Sequence, residues 1–336
     1  MPALRPGMTR ASVVIPTHDH ASTLRLAVES VLQQTVPDLE VLIVGDGVTD
    51  AVRSVASELQ REDDRVRFLD FEKGPHHGEI HRDTAIRQST GEIIAYLCDD
   101  DLMMPEHLAD MVELLADHDL AQSLNGYVNP DESIGIFSGS LDDERYVARL
   151  CDPSKHFNFI GITGTAHTRD IYDRAGTPWE TTPDGVYPDQ HQWRRMLLSG
   201  QPVRGTTSHR MTVIGMPTSM HGRDSWSPEE RLAELERWAE LARSPGGQDE
   251  LDRRVAQGAI GQLRWWTMHA FDTADLQAAA ERNLSDALRN LADAEQRALD
   301  EHVLRAEAER RVATITSSRW WRLGRRIRPG LSGREA

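Results

Sequence analysis

Cysteine is scarce in this chain of 336 residues: Cys98 and Cys151 are the only two. Two thiols cannot build the disulfide framework of a small secreted scaffold, and they suit a reducing cytoplasm. Long apolar runs are missing as well. No stretch approaches the roughly 18 residues that a membrane-spanning helix needs, and the N-terminus lacks the apolar core of a signal peptide, so a cytoplasmic protein is expected. Positive charge is short: 38 Lys and Arg face 54 Asp and Glu, and a formal net charge of -16 argues against a general nucleic-acid binder. There is no glycine-lysine phosphate loop, no dinucleotide fingerprint and no nucleophile elbow for a Ser-His-Asp hydrolase. His77-Gly78-Glu79-Ile80-His81 has the spacing of a zinc pair, but no cysteine ligand set follows and Gly78 weakens a helix there. These histidines read as a solvated loop.

What the chain does contain is a hydrophobic fraction of 39%, enough for a core, and a length that allows two domains or one large domain with an appendage. Residues 1–10 read as a disordered leader. Ala11 to Pro16 is a buried-strand run, Ser22 to Gln34 has helical spacing, and Glu40 to Val44 is a second strand ending in a glycine-rich turn that Thr49 or Asp50 can cap. A third strand spans Val66 to Leu69, and a helix runs from about Arg82 to Ser89. Strands alternating with helices at this pitch predict a mainly parallel α/β sheet with right-handed crossovers. Shorter strands are expected over 121–167, a helix over Asp189 to Ser199, and a closing strand from Val203 to Ile214.

The centre of this pattern is Ile93-Ile94-Ala95-Tyr96-Leu97-Cys98-Asp99-Asp100-Asp101, followed by Leu102-Met103-Met104-Pro105. An apolar strand that breaks into three carboxylates puts them at the C-terminal edge of a sheet, where open α/β folds bind ligands. Three adjacent acids repel one another unless a hard dication or a ring of donors neutralises them. A solvated turn that caps the helix at Pro105 is the competing explanation.

Three segments, 11–50 (ASVVIPTHDH through GDGVTD), 81–108 (HRDTAIRQ through MMPEHL) and 189–200 (DQHQWRRMLLSG), together resemble the inverting family 2 glycosyltransferases of GT-A fold. The resemblance is strong over about 11–120 and fair to about 215. It implies a Rossmann-like nucleotide-diphospho-sugar transferase domain over 11–216 that takes a nucleotide-diphosphate sugar and a hydroxyl acceptor, glycan or lipid-linked. It also implies Mg²⁺ or Mn²⁺. Pro16 and Thr17 match the segment that holds the nucleoside, Asp46 matches the aspartate that contacts the base, and Arg82 matches an arginine reaching base or diphosphate. The family's metal motif falls on Cys98 and Asp100, a departure that leaves open whether the working pair is Asp99 with Asp101 or Asp100 with a neighbour; Asp100 and Asp101 are expected on the metal and Asp99 on the nucleotide. Asp189 matches the general base. Against these stand plainer explanations: Asp46 as a turn former, Arg82 as a surface arginine, Asp189 as a helix N-cap and Trp193 as core. Two other functions also compete, a sugar nucleotidyltransferase and a non-catalytic nucleotide-binding scaffold. The latter is suggested by Gly45, Cys98 and Pro188 at motif positions.

Beyond a linker at 217–228, a C-terminal helical extension is expected over 229–315, ending in a long helix from Asp275 to Ile315. Its heptads are interrupted by Glu295 and His302, so self-association as a coiled coil and a solitary helix both fit. The tail, 316–336, carries six arginines against one glutamate with Trp320-Trp321, a composition that can lie on an anionic lipid surface at the inner face of the membrane, dock on the acidic body, or stay disordered.

Overall fold

A computed structural model describes residues 8–129, 131–155, 157–216 and 226–270. Four strands form the first half: β1 (Thr9–Thr17), β2 (Leu39–Asp46), β3 (Val66–Phe71) and β4 (Gly91–Tyr96). All are parallel, with β1 between β2 and β4 and with β3 outside β2. The helices α1 (Ala21–Leu32), α2 (Asp50–Glu62) and α3 (Glu79–Gln88) connect them. Burial on both faces explains the unbroken apolar runs. Val13, Ile15, Val41 and Ile43 point to one core with Leu24 and Val52, whereas Val14, Leu42 and Val44 point to the opposite one with Ala85 and Ile86. Thr49 caps α2 through Val52 N–H at 3.3 Å.

After the acidic turn the strands shorten. These are β5 (Leu102–Met103), β6 (Leu120–Gln122), β7 (Gly126–Val128), β8 (Ile134–Ile136), β9 (Thr165–Thr168), β10 (Gly205–Thr207) and β11 (Val213–Ile214). The helices α4 (His107–Leu114), α5 (Glu144–Cys151), α6 (Arg169–Ala175) and α7 (Pro188–Leu197) lie among them. The main sheet runs β10-β6-β9-β4-β1-β2-β3, with β9 antiparallel to both of its neighbours. The mainly parallel α/β sheet expected from the sequence is the one observed.

Several boundaries differ. β1 starts at Thr9, inside the expected leader, because Thr9 pairs with Gly91. The closing strand is two strands, since β11 leaves the main sheet to pair antiparallel with β5. α3 starts a turn before Arg82, following Gly78 at φ +62°. The motif residues Ser30 and Gln34 latch the chain beyond the acidic turn: Gln34 donates to Met104 O at 2.7 Å and accepts from Leu108 N–H at 2.8 Å, and Ser30 Oγ accepts from Met103 N–H.

Of the expected helical region, α8 (Pro228–Arg243) opens with a Ser227–Glu230 capping box, and α9 (Gly247–Ala270) follows. Both pack on the sheet body: Leu235, Trp238, Ala242 and Leu251 share a third core with Leu102, Met104, Met211 and Ile214. Residues 217–225 of the linker, the expected long helix and the basic tail lie outside the described residues. Among the described residues no helix is long and apolar enough to cross a membrane.

Candidate active site

The C-terminal ends of β1, β2 and β4 open onto a pocket of about 210 Å³, lined among others by Pro16, Thr17, Asp46, Arg82 and Asp99. Register makes this convergence obligatory, because Pro16 lies beside Val44, and Thr17 beside Gly45, next to Asp46. All five residues expected to hold the nucleotide therefore line one cavity.

Asp46 is buried and already engaged. Lys73 Nζ donates to its Oδ2 at 2.5 Å and Gly74 N–H to its Oδ1 at 2.6 Å. Lys73 also reaches the carbonyls of Gly74 and His76, so it ties the 72–78 loop into a knot over the carboxylate. The loop approaches so closely that a Cβ on Gly78 would sit 2.2 Å from Asp46 Cγ, and its φ of +62° also favours glycine. His18 Nδ1 donates to Asp46 O at 2.7 Å. His81, read from sequence as solvated, stacks on Phe71 at 4.5 Å.

The three carboxylates of the acidic turn have different fates. Asp101 turns inward: its Oδ2 accepts from Thr163 Oγ1 at 2.6 Å and its Oδ1 from Met216 N–H at 2.7 Å. Each carboxylate oxygen of Asp101 thus accepts one hydrogen bond from the protein beside its place in the acidic turn. Asp99 accepts from His20 Nδ1 at 2.9 Å, and Asp100 Oδ2 lies 3.6 Å from the same nitrogen. The hydrogen bond to Asp99, with the charges of Asp99 and Asp100, raises His20 to a pKa of about 9 against its burial. Burial pushes the Asp99 carboxyl up and His20 opposes it. Ligand atoms of His20, Asp99 and Asp100 lie within 4.8 Å of one another, as do those of Cys98, Asp100 and Asp101. Burial raises the Cys98 thiol well above its usual value, which keeps it protonated and a poor ligand. The oxygen-rich set at Asp99 and Asp100 suits a hard dication such as Mg²⁺ or Mn²⁺.

Arg82 is buried at 6% exposure, and neither Nε nor Nη1 has a hydrogen-bond partner. Its guanidinium lies 4.7 Å above the ring of Trp179. The indole is held in turn: Trp179 Nε1 donates to Tyr96 Oη at 3.0 Å, Tyr96 donates to His167 Nε2 at 2.8 Å, and His167 Nδ1 donates to Thr168 O. Burial drags the Arg82 guanidinium below its ordinary range, and Glu79 opposes that.

Asp189 sits in the first turn of α7, with Tyr187 rather than Asp189 at the cap position; its Oδ1 accepts from Gln190 N–H at 2.7 Å. Burial raises its carboxyl, while hydrogen bonds from Gln190 and Asn158 and the charge of Arg82 hold it down. Trp193 is fully buried against Tyr96 and Trp179, a core residue. His191 pairs with Glu180 at 3.1 Å.

Lys73 was not singled out by the sequence, and His20, Glu79 and Trp179 were visible there without a site role. For Lys73 a signal existed, since it is one of two lysines in a chain that otherwise uses arginine. For the others only the packing reveals the partner.

Residues 12–162 match the sequence profile of Glycosyl transferase family 2. An uncharacterized glycosyltransferase of Nostoc sp. is 34% identical over 186 residues, 52% of this chain and 57% of that protein. The GalNAc(5)-diNAcBac-PP-undecaprenol beta-1,3-glucosyltransferase of Campylobacter jejuni is 28% identical over 109 residues, 32% of this chain and 34% of that protein. The chain thus spans about a third to just over half of the length of these relatives. Among solved structures, S. aureus TarS 1-349 aligns with a TM-score of 0.50 at 17% identity, over 84% of this chain and 80% of that one. This last likeness is one of fold, and the fold is GT-A.

Proposed function

From a chain whose residues 12–162 match the glycosyl transferase family 2 profile, we propose an inverting enzyme that moves a sugar from a nucleotide-diphosphate donor to a hydroxyl of a glycan or lipid-linked acceptor. The observation that carries this reading is Arg82: a buried cation whose Nε and Nη1 have no hydrogen-bond partner, on the wall of the pocket at the strand ends and electrostatically coupled to Asp189. A guanidinium with open donors matches the oxygens of a diphosphate.

Pro16 and Thr17 would border the nucleoside and Asp46 would accept an N–H of the base. Asp189 takes the proton of the acceptor hydroxyl as its oxygen attacks the anomeric carbon. The bond to the diphosphate oxygen breaks on the opposite face, its electron pair leaves with the nucleoside diphosphate, and the sugar configuration inverts. A carboxyl raised by burial is better matched to that proton transfer than a solvated one. Asp99 and Asp100 would hold a dication, which when bound neutralises charge on the departing diphosphate. The basic segment 316–336 would bring the enzyme to the inner face of the membrane, where lipid-linked acceptors are met.

Thermal shift with UDP, GDP, TDP and CDP, with and without Mn²⁺, tests the reading. Stabilisation by one nucleotide, larger with Mn²⁺ and lost in Arg82→Gln, is expected. Indifference to all four nucleotides would overturn it.

A further inference from the structure

Glu79 takes no part in the chemistry above, yet it is wholly buried and neither carboxylate oxygen has a hydrogen-bond donor. Among the described residues it is the only carboxylate in that state. An unpaired buried carboxylate is among the most expensive groups a fold can hold, and it persists where a nearby charge compensates it. That charge is Arg82. The two are three residues apart on α3, the spacing that sets side chains on one helix face, and both are buried. Of the charges around Arg82, Glu79 acts on it most strongly, ahead of Asp189. They do not close a salt bridge, so the Arg82 donors stay open while its charge is balanced through the interior.

We propose that Glu79 is a positioning residue, the internal counter-ion of Arg82, which balances the guanidinium when no nucleotide is bound and thereby weakens its grip on a diphosphate enough for product to leave. The inference rests on the reading that Arg82 receives the diphosphate. A residue that merely filled space would, on replacement, lower stability and affinity together. A counter-ion moves them in opposite directions.

The test is calorimetric titration of the full chain with UDP, GDP, TDP and CDP and the matching monophosphates in constant Mn²⁺, comparing wild type, Glu79→Gln, Glu79→Asp and Arg82→Gln. Glu79→Gln is expected to melt lower without nucleotide yet bind the preferred diphosphate about tenfold tighter, with a smaller change for the monophosphate. Glu79→Asp, which keeps the charge, should stay within about twofold of wild type. If Glu79→Gln does not fold, the Glu79→Gln/Arg82→Gln double variant should restore folding, since both buried charges are then gone; failure to do so overturns the inference. Weaker or unchanged diphosphate binding in Glu79→Gln, with binding lost in Arg82→Gln, sinks the counter-ion alone. A wild type that binds diphosphate no differently from Arg82→Gln, or not at all, sinks the Arg82 reading with it.

Discussion

The two halves of the fold are built by different means. From β1 to β4 the strands are 6 to 9 residues long, all parallel and lined with Val, Ile and Leu. From β6 to β11 they are 2 to 4 residues long, and order comes from buried polar and aromatic contacts such as Tyr96–His167–Trp179 and His107–Thr212. The first half delivers Pro16, Thr17 and Asp46 to the pocket by register, which depends on backbone pairing and tolerates surface change. The second half delivers Asp189 and Trp179 through side chains that each need a particular partner. Ligand-side geometry should therefore be robust on the first half and fragile on the second.

Three perturbations break or sharpen that contrast. The largest effect is expected from Asp189→Asn. Transfer should fall about 10²- to 10⁴-fold, the usual contribution of a general base. Nucleotide affinity, set by the first half, should hold, and a transfer assay beside a binding titration reads both. An equal loss of affinity would mean that the halves are not separable.

Acid comes next, acting mainly on the second half. Burial lowers His107 to a pKa of about 3 and His167 to about 4. Both are neutral in the fold, whereas the unfolded chain takes up protons below the ordinary histidine value of 6.5. The unfolded state then binds more protons, so their stabilisation is present above pH 6.5 and is lost as pH falls from there toward 4. Each histidine should cost about 1.4 kcal/mol per pH unit in that window. Urea melts at pH 7.5, 6 and 5 check this, and His107→Gln should flatten part of the slope.

The smallest effect separates neighbours in the acidic turn. Asp101→Ala leaves Met216 N–H and Thr163 without their acceptor and should destabilise by about 1–3 kcal/mol. Asp100→Ala should leave stability nearly intact and remove the Mn²⁺ contribution to nucleotide binding. Denaturant melts and Mn²⁺ titrations of the two variants would show the opposite pattern if the assignment is reversed.

Much of the fold could be read because period and punctuation are local. Alternating buried faces in ASVVIP and EVLIV and the Thr49 cap each depend on a few adjacent residues, whereas the start of α3 after Gly78, a turn before the expected Arg82, depends on the loop that closes over Asp46. The site was legible as a roster of residues but not as a set of partnerships. Asp99, Asp100 and Asp101 look alike in the chain. One faces His20, and another accepts hydrogen bonds from Thr163 and Met216, which are more than sixty and a hundred residues away. Val203 to Ile214 looked like one closing strand, and only the presence of β5 beside it draws β11 out of the main sheet.

The amino-acid sequence by itself determined which segments become strands and helices, and that carboxylates gather where β2 and β4 end, since these follow from side-chain period and strand register. Tertiary structure alone decided the state of each charge: Asp46 under Lys73, Asp101 turned inward, and Arg82 left with open donors over Trp179 beside Glu79. The reason is that the energy of a buried charge depends on what lies within a few ångströms of it, and those neighbours come from distant parts of the chain.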